Sequence, residues 1–154
     1  MSLELQISEY GRATQVVLDA VNGLSEAALD YTPEGEWSVR WIIHHLADAE
    51  GNAFVRLRRL LAEPAPTSLQ VFDEVAWSRQ LRYHRPVETS LQVFAALRNS
   101  NVEILATLAE SDLNRVGNHE LSGPYTLAQW LLKNTSHALD HAVQIKRTIE
   151  GTQH

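Results

Sequence analysis

The sequence predicts an all-α fold, a four-helix bundle with a long crossover connection between the second and third helices. Four long segments repeat apolar residues at three- and four-residue steps, which is the spacing of one face of a helix. Residues that cap or break helices separate these segments. About twenty residues connect the second segment to the third, and a connection of this length favours a crossover over a simple up-down-up-down bundle.

The first helix begins near Leu3 and stops near Gly23, a residue typical of helix C-termini. The segment from Ser25 to Leu29 adds one short turn before Pro33 and Gly35 break the chain. The apolar stripe of the first helix is formed by Leu3, Ile7, Tyr10, Thr14, Val17, Leu18 and Val21.

The second helix runs roughly from Ser38 to Ala62. Ser38 is a good N-cap, and Trp37 and Ile42 stand at the two positions of a hydrophobic staple. The sequence Glu63-Pro64-Ala65-Pro66 ends the helix. Its buried stripe is predicted to consist of Val39, Ile42, Leu46, Ala49, Ala53, Leu57 and Leu60.

The crossover that follows contains several aromatic residues, and a short helical turn is predicted from about Asp73 to Arg79. Loops of this length are often lids over binding sites, although aromatic residues also anchor long crossovers to the core. Three arginines of the crossover could hold an anionic substrate or simply be solvated: Arg79, Arg82 and Arg85.

The third helix is predicted from about Val87 to Glu110, with Asn101 interrupting its apolar stripe and facing either a polar site or solvent. Turn signals follow, and His119 among them is predicted to be a surface residue. The fourth helix runs from Thr126 to Ile149, where Thr126 and Gln129 form a capping box. No segment shows a convincing strand pattern.

Composition excludes several classes of function. The 154 residues suffice for a single domain, residues 1–154, with a sizeable core. A net charge of −6 argues against binding to nucleic acid or to an anionic membrane. The absence of cysteine rules out disulfides, thiolate metal ligands and a protein thiol nucleophile. The N-terminus lacks the features of a signal peptide, so we expect a cytoplasmic location.

A histidine pair on the fourth helix has the spacing of a metal-binding pair. His137 and His141 are four residues apart, so they lie one above the other on the same helical face. At about 100° per residue, His141 falls roughly 50° and His137 roughly 90° from the centre of the apolar stripe, so both project between helices. Two unrelated histidines are the alternative. Ala138 replaces the glutamate of the H-E-x-x-H motif, which argues against a metalloprotease.

A third candidate ligand lies on the second helix, where two histidines are adjacent. His45 falls within roughly 90° of the centre of the buried stripe, whereas His44 points roughly opposite, toward solvent. We therefore predict His45 as the ligand and His44 as a surface residue. The alternative for His45 is a hydrogen-bonded histidine at the edge of the core.

The chain resembles the DinB/YfiT-like superfamily, and most of all its YfiT-type members. The resemblance rests on W-S-V-R-W-I-I-H-H-L-A-D-A-E (Trp37 to Glu50), the proline-rich break and aromatic crossover, S-G-P-Y-T-L (Ser122 to Leu127) and the C-terminal H-x-x-x-H. It implies a four-helix bundle, a homodimer, and a divalent metal ion bound by His45, His137 and His141.

Three neutral imidazoles leave coordination positions open, as in catalytic metal sites. The resemblance implies a metal-dependent transferase that uses a low-molecular-weight thiol cosubstrate on a small-molecule substrate. Two alternatives stay open: a metal-dependent hydrolase with metal-activated water, and a non-enzymatic metal-binding bundle. Zinc, nickel and iron all suit a three-histidine site. No general base is evident, because the nearby polar residues Asp48, Glu50 and Asn134 more often support a ligand or are solvated.

Overall fold

A computed structural model describes residues 1–151 of the chain, and these form a four-helix bundle with two short additional helices. In chain order the helices are α1 (Leu3–Val21), α2 (Glu26–Asp30), α3 (Val39–Ala62), α4 (Glu74–Gln80), α5 (Glu88–Leu105) and α6 (Leu127–Glu150). The long helices are α1, α3, α5 and α6, as the apolar periodicity predicts.

Two apolar clusters show the direction of each long helix. One cluster joins the end of α1, the start of α3, the start of α5 and the end of α6 through Val17, Ile42, Phe94 and Ile145. The other joins the opposite ends of the same helices through Leu3, Leu57, Leu105 and Trp130. Helices α1 and α6 therefore run in one direction while α3 and α5 run in the other. This up-down-down-up order confirms the predicted crossover between the second and third long helices.

The helix starts are capped by the residues that the sequence indicates. The Ser38 hydroxyl accepts a hydrogen bond from the backbone N–H of Trp41, which fixes the start of α3. At the start of α6, Thr126 Oγ1 accepts from the Gln129 N–H, and Gln129 Oε1 accepts from the Thr126 N–H at 2.8 Å. Both caps set the register of the helices that carry the three candidate ligands.

Helix α5 ends earlier than the sequence predicts. Its regular hydrogen bonding stops at Leu105, where the N–H groups of Thr107 and Leu108 bond to carbonyls three residues back instead of four. A 3₁₀ helix, Glu110–Asn114, follows. The predicted third helix from Val87 to Glu110 is therefore too long at its C-terminal end, because no glycine or proline marks this stop.

A small sheet, which the sequence does not predict, closes one end of the bundle. Strands β1 (Thr67–Leu69) and β2 (Val116–His119) pair in parallel, and β2 pairs with β3 (Gly123–Thr126) in antiparallel fashion. Gly117 is part of a strand and not of a turn. A Cβ atom there would lie 2.8 Å from a methyl carbon of Leu69, so only glycine lets the two strands pack this closely. Strands of three or four residues are too short to show alternation.

The inner face of α5 carries two buried polar side chains between its apolar ones, Arg98 and Asn101. Arg98 donates to the Glu50 carboxylate at 2.9 Å, and both side chains are buried. Asn101 donates to the other carboxylate oxygen of Glu50 and to the Tyr10 hydroxyl, each at 3.0 Å. Asn101 therefore faces a buried hydrogen-bond network and not solvent. Within residues 1–151, no helix combines the length and apolar character needed to cross a membrane.

Candidate metal centre

Three histidine side chains from two helices meet at one point. His45 lies in the second turn of α3, and His137 and His141 lie on adjacent turns of α6. The Nε2 atom of His137 is 3.1 Å from Nε2 of His45 and 3.2 Å from Nε2 of His141. One nitrogen of each ring lies within 4.8 Å of those of the other two. The structure thus brings together the three predicted ligands, and metal binding by them stays a prediction.

A chain of hydrogen bonds determines which nitrogen of His141 faces this cluster. The Glu36 carboxylate only accepts hydrogen bonds, so the Gln144 amide nitrogen donates to it at 3.1 Å. Gln144 then presents its Oε1 atom to His141 Nδ1, 2.8 Å away. Because this oxygen also only accepts, Nδ1 carries the proton and the Nε2 lone pair points into the cluster. Arg147 donates to Glu36 at 2.8 Å and completes the chain.

Apart from the contact of its Nε2 atom with His137, His45 is held by packing. Its ring lies edge-on to the Trp37 indole, with 5.1 Å between the ring centroids. The residue is 2% exposed, and its Nδ1 atom is buried without a hydrogen-bond partner among the described residues. An unsatisfied buried nitrogen costs about 1–3 kcal/mol. Coordination of an ion by the other nitrogen of the same ring offsets such a cost.

Burial keeps the three imidazoles neutral. Burial, followed by repulsion from His141, lowers the pKa of His45 to about 4. Burial, followed by repulsion from the two other cluster histidines, lowers the pKa of His137 to about 3. The pKa of His141 is also lowered by burial, against an opposing contribution from its hydrogen bond to Gln144. At neutral pH the rings therefore offer the lone pairs that a metal ion requires.

The cluster lines a cleft of about 380 Å³, whose other walls are Gly35, Glu36, Trp37, Glu74 and Gln144. Glu74 is in the first turn of α4, so the crossover supplies one wall of the cleft. The crossover is also anchored by aromatic contacts, because the Trp41 and Tyr83 rings meet with 5.3 Å between centroids. The crossover therefore borders the cleft and is also anchored to the bundle, while its action as a lid stays a prediction.

The prediction that His44 is a surface residue is wrong, because the structure buries it completely. Its Nε2 atom donates to the Arg85 carbonyl at 2.9 Å, and its Nδ1 atom accepts from the Ser90 hydroxyl at 2.8 Å. The crossover and α5 cover the side of α3 that a single apolar stripe would leave to solvent. His44 ties the crossover to the bundle and lies outside the three-histidine cluster.

His119, also predicted to be a surface residue, is buried on β2. Its ring packs beside Tyr125 of β3, with 5.8 Å between the ring centroids. The prediction is wrong because strands this short leave no pattern that would have indicated the sheet around this histidine.

The polar residues near the ligands in sequence do not face the cluster. Glu50 is engaged with Arg98, and Asp48 accepts a hydrogen bond from the Tyr83 hydroxyl. The Asn134 amide donates to the Trp130 carbonyl one turn before it, at 2.7 Å. Instead, Glu36, Glu74 and Gln144 border the site. Only Gln144 had a sequence signal, since it lies three residues after His141 on one helix.

The donor set fits a divalent metal ion. Two nitrogens bound to one zinc ion at 2.0–2.1 Å in tetrahedral geometry are roughly 3.4 Å apart. The observed Nε2 separations of 3.1 and 3.2 Å are close to that value. An ion held by these three neutral imidazoles would keep at least one coordination position for water or a substrate.

Comparisons with known proteins agree with this geometry. The sequence profile of the DinB superfamily matches residues 9–145. A protein of Oceanobacillus iheyensis named "Putative metal-dependent hydrolase OB0413" is 31% identical over 142 residues, covering 92% of this chain and 80% of the relative. A protein of Bacillus mycoides strain KBAB4 with the same descriptive name is 30% identical over 128 residues, covering 82% and 73% of the two chains.

A solved structure matches over almost the whole length. YfiT from Bacillus subtilis, described as "a probable metal-dependent hydrolase with an unusual four-helix bundle topology", superposes with a TM-score of 0.90 at 25% sequence identity. The match covers 99% of this chain and 90% of YfiT. The up-down-down-up order of the long helices therefore has a counterpart of known structure.

Proposed function

The chain belongs to the DinB superfamily, and from this membership and its histidine cluster we propose that it is a metal-dependent enzyme. The observation that carries the proposal is the convergence of three neutral Nε2 atoms on one point at a cleft. When bound there, a divalent ion supplies an electropositive centre with an open position that lowers the pKa of a bound water or thiol. The protein's part is to hold this centre, to orient its ligands and to admit the reactants.

The reaction that we favour is the transfer of an electrophilic group to a low-molecular-weight thiol. The chain has no cysteine, so the sulfur nucleophile comes from a cosubstrate. The sulfur forms a bond to the electrophilic carbon, the bond from that carbon to its leaving group breaks, and the thiol proton passes to solvent. This route needs no general base on the protein. It agrees with the engagement of Asp48 and Glu50 in other contacts.

Hydrolysis is the second candidate, favoured by two observations. The relatives carry names that describe metal-dependent hydrolases. In addition, Glu74 places an exposed carboxylate on the wall of the cleft, where it can accept a proton from an attacking water. In this reaction the water oxygen forms a bond to the carbonyl carbon, the bond from that carbon to its leaving group breaks, and the leaving group takes up the proton that Glu74 accepted from the water.

One set of assays separates the two reactions. Zinc-, nickel- and iron-loaded proteins are incubated with an aryl chloride in the presence and absence of cysteine, and separately with an activated aryl ester without thiol. A thiol transferase consumes the aryl chloride only in the presence of thiol, and its rate is unchanged in the Glu74→Gln variant. A hydrolase cleaves the ester without thiol and loses most of its rate in Glu74→Gln but not in Glu103→Gln, which changes an exposed carboxylate of α5. Rates no higher than those of His141→Ala in every assay would reject an enzymatic role for these substrate classes.

A further inference from the structure

A second cavity adjoins the metal cleft. It has a volume of about 420 Å³ and lies between the loop before α3 and the helix α4. Glu36 and Trp37 line both cavities, so the two cavities are adjacent. A volume of this size is within the usual range of small-molecule sites. The two cavities are therefore close enough for the two ends of one ligand to be recognised separately, one in each.

The second cavity combines aromatic walls with a free positive charge. Trp37 and Trp41 supply indole surfaces, and Val75, Ser78 and Arg79 line it from one face of α4. Arg79 is exposed, and its side chain has no hydrogen bond or ion pair among the described residues 1–151. Most other arginines around the bundle are engaged; Arg40, for example, contacts Glu26 and Asp30.

Glu36, the acidic residue that lines the second cavity, already has hydrogen-bond partners for its carboxylate. Each oxygen of Glu36 accepts one hydrogen bond, from Arg147 at 2.8 Å and from Gln144 at 3.1 Å. The Glu36 carboxylate therefore does not need Arg79 as a partner. The guanidinium of Arg79 remains available, and a guanidinium is suited to two-point binding of a carboxylate or phosphate.

We propose that this second cavity binds the anionic end of the substrate or cosubstrate, with Arg79 pairing with a carboxylate or phosphate and Trp37 and Trp41 packing against the adjoining apolar or aromatic part. This inference rests on the proposed function, because it assumes that the reacting end of the same molecule lies in the three-histidine cleft. Helix α4 then serves both ends of the ligand, with Glu74 at the metal cleft and Arg79 at the anion site.

The test uses three probes that share a phenyl ring: phenylacetate, phenyl phosphate and the neutral phenylacetamide. Each is titrated into ¹⁵N-labelled protein, with and without zinc, while the indole N–H signals of Trp37 and Trp41 are followed. Trp37→Phe and Trp41→Phe variants identify these signals. The key variant is Arg79→Gln. Its matched control is Arg82→Gln, which removes the same charge from the same exposed crossover but lies outside the cavity.

We expect both anions to shift the two indole signals, with zinc and without it. Arg79→Gln should weaken anion binding by about tenfold or more, whereas Arg82→Gln should leave it unchanged within about twofold. The ratio of the two anion affinities then tells whether a carboxylate or a phosphate is preferred.

Three results would overturn the proposal. Equal weakening in the two arginine variants would show a general effect of net charge, and equal binding of phenylacetamide would show that the anion is not recognised. Binding that requires zinc and ignores Arg79→Gln would show coordination to the metal alone. Zinc uptake is measured separately, and a protein that binds no zinc would contradict the proposed function. The zinc-free titration would still show whether anions bind in the second cavity through Arg79.

Discussion

At the scale of single residues, the candidate centre depends on three imidazoles that burial keeps free of protons. The pKa of His45 is lowered to about 4 and that of His137 to about 3, mainly because both rings are removed from solvent. An unfolded chain protonates the same groups near pH 6.5. Burial thus keeps the ring nitrogens able to bind a cation, and at the same time it makes the stability of the fold sensitive to acid.

The first prediction concerns the stability of the metal-free protein below neutral pH. Between about pH 6.5 and 4 the unfolded state binds protons that the folded His45 and His137 do not bind, so the free energy of unfolding should fall as pH falls. The stabilisation that the two neutral histidines give the folded state is fully present above about pH 6.5. Below that pH, each histidine lowers the free energy of unfolding by up to about 1.4 kcal/mol per pH unit. Urea unfolding of chelator-treated protein at pH 7.5, 5.5 and 4.5 measures this slope. The double variant H45Q/H137Q should have a clearly shallower slope, and an identical slope would contradict the explanation.

A second prediction concerns Gln144, which positions His141. Gln144→Leu removes the acceptor that holds the proton on His141 Nδ1, so zinc affinity should fall by about 10–100-fold with the helical signal unchanged. The ¹⁵N shifts of the His141 ring should show mixed tautomers in the variant and a single Nδ1–H tautomer in the unchanged protein. Gln92→Leu on the exposed face of α5 is the control. A loss of affinity with an unchanged tautomer would mean that Gln144 acts in some other way.

At the scale of elements, α5 is bound to the bundle through polar contacts as well as apolar ones. Arg98 reaches Glu50 of α3, the Thr14 hydroxyl and the Tyr10 carbonyl of α1, and the Asn134 carbonyl of α6. One side chain therefore links all four long helices. Asn134 lies one turn before His137, so this network also fixes the position of α6 along its axis near the histidine cluster.

The third prediction tests this network. Glu50→Gln leaves the guanidinium of Arg98 buried without its countercharge, so we expect a loss of about 3–5 kcal/mol of unfolding free energy. Glu103→Gln, an exposed change on α5, should cost less than about 0.5 kcal/mol. Urea unfolding measures both. A cost for Glu50→Gln as small as that of the control would show that the buried pair contributes little to the stability of the fold.

Local sequence patterns predicted the long helices and the histidine cluster better than the residues that surround them. Helix periodicity and caps predicted the four long helices, and the angular position of His45, His137 and His141 selected residues that do converge. His44 was misplaced because one apolar stripe cannot show that α3 is covered on two sides. Glu36 and Glu74 could not be found, because loops and the crossover bring them to the cleft by tertiary contacts that leave no local pattern.

At the scale of the whole molecule, we expect most of the stability of the bundle to come from its two apolar clusters, which together extend along all four long helices. The histidine cluster lies beside this core and does not replace any part of it. A structural metal behaves differently, since its binding free energy is part of the folding free energy.

The fourth prediction is therefore that a chelator leaves the fold intact. Removal of bound zinc should lower the melting temperature by only about 5–10 °C, and the helical circular dichroism should be retained at 25 °C. Loss of the helical signal on addition of chelator would show that the metal is structural and would contradict a catalytic role.

The central claim is that His45, His137 and His141 together hold one divalent ion, and metal titration tests it most directly. Isothermal titration of the chelator-treated protein with zinc should give one ion per chain. Each of His45→Ala, His137→Ala and His141→Ala should reduce affinity at least about 100-fold, which is the order expected for the loss of one of three ligands. His84→Ala, which removes an exposed histidine of the crossover outside the cleft, should bind zinc as the unchanged protein does. Unchanged affinity in any one of the three cluster variants, or a stoichiometry of zero in the unchanged protein, would contradict the account.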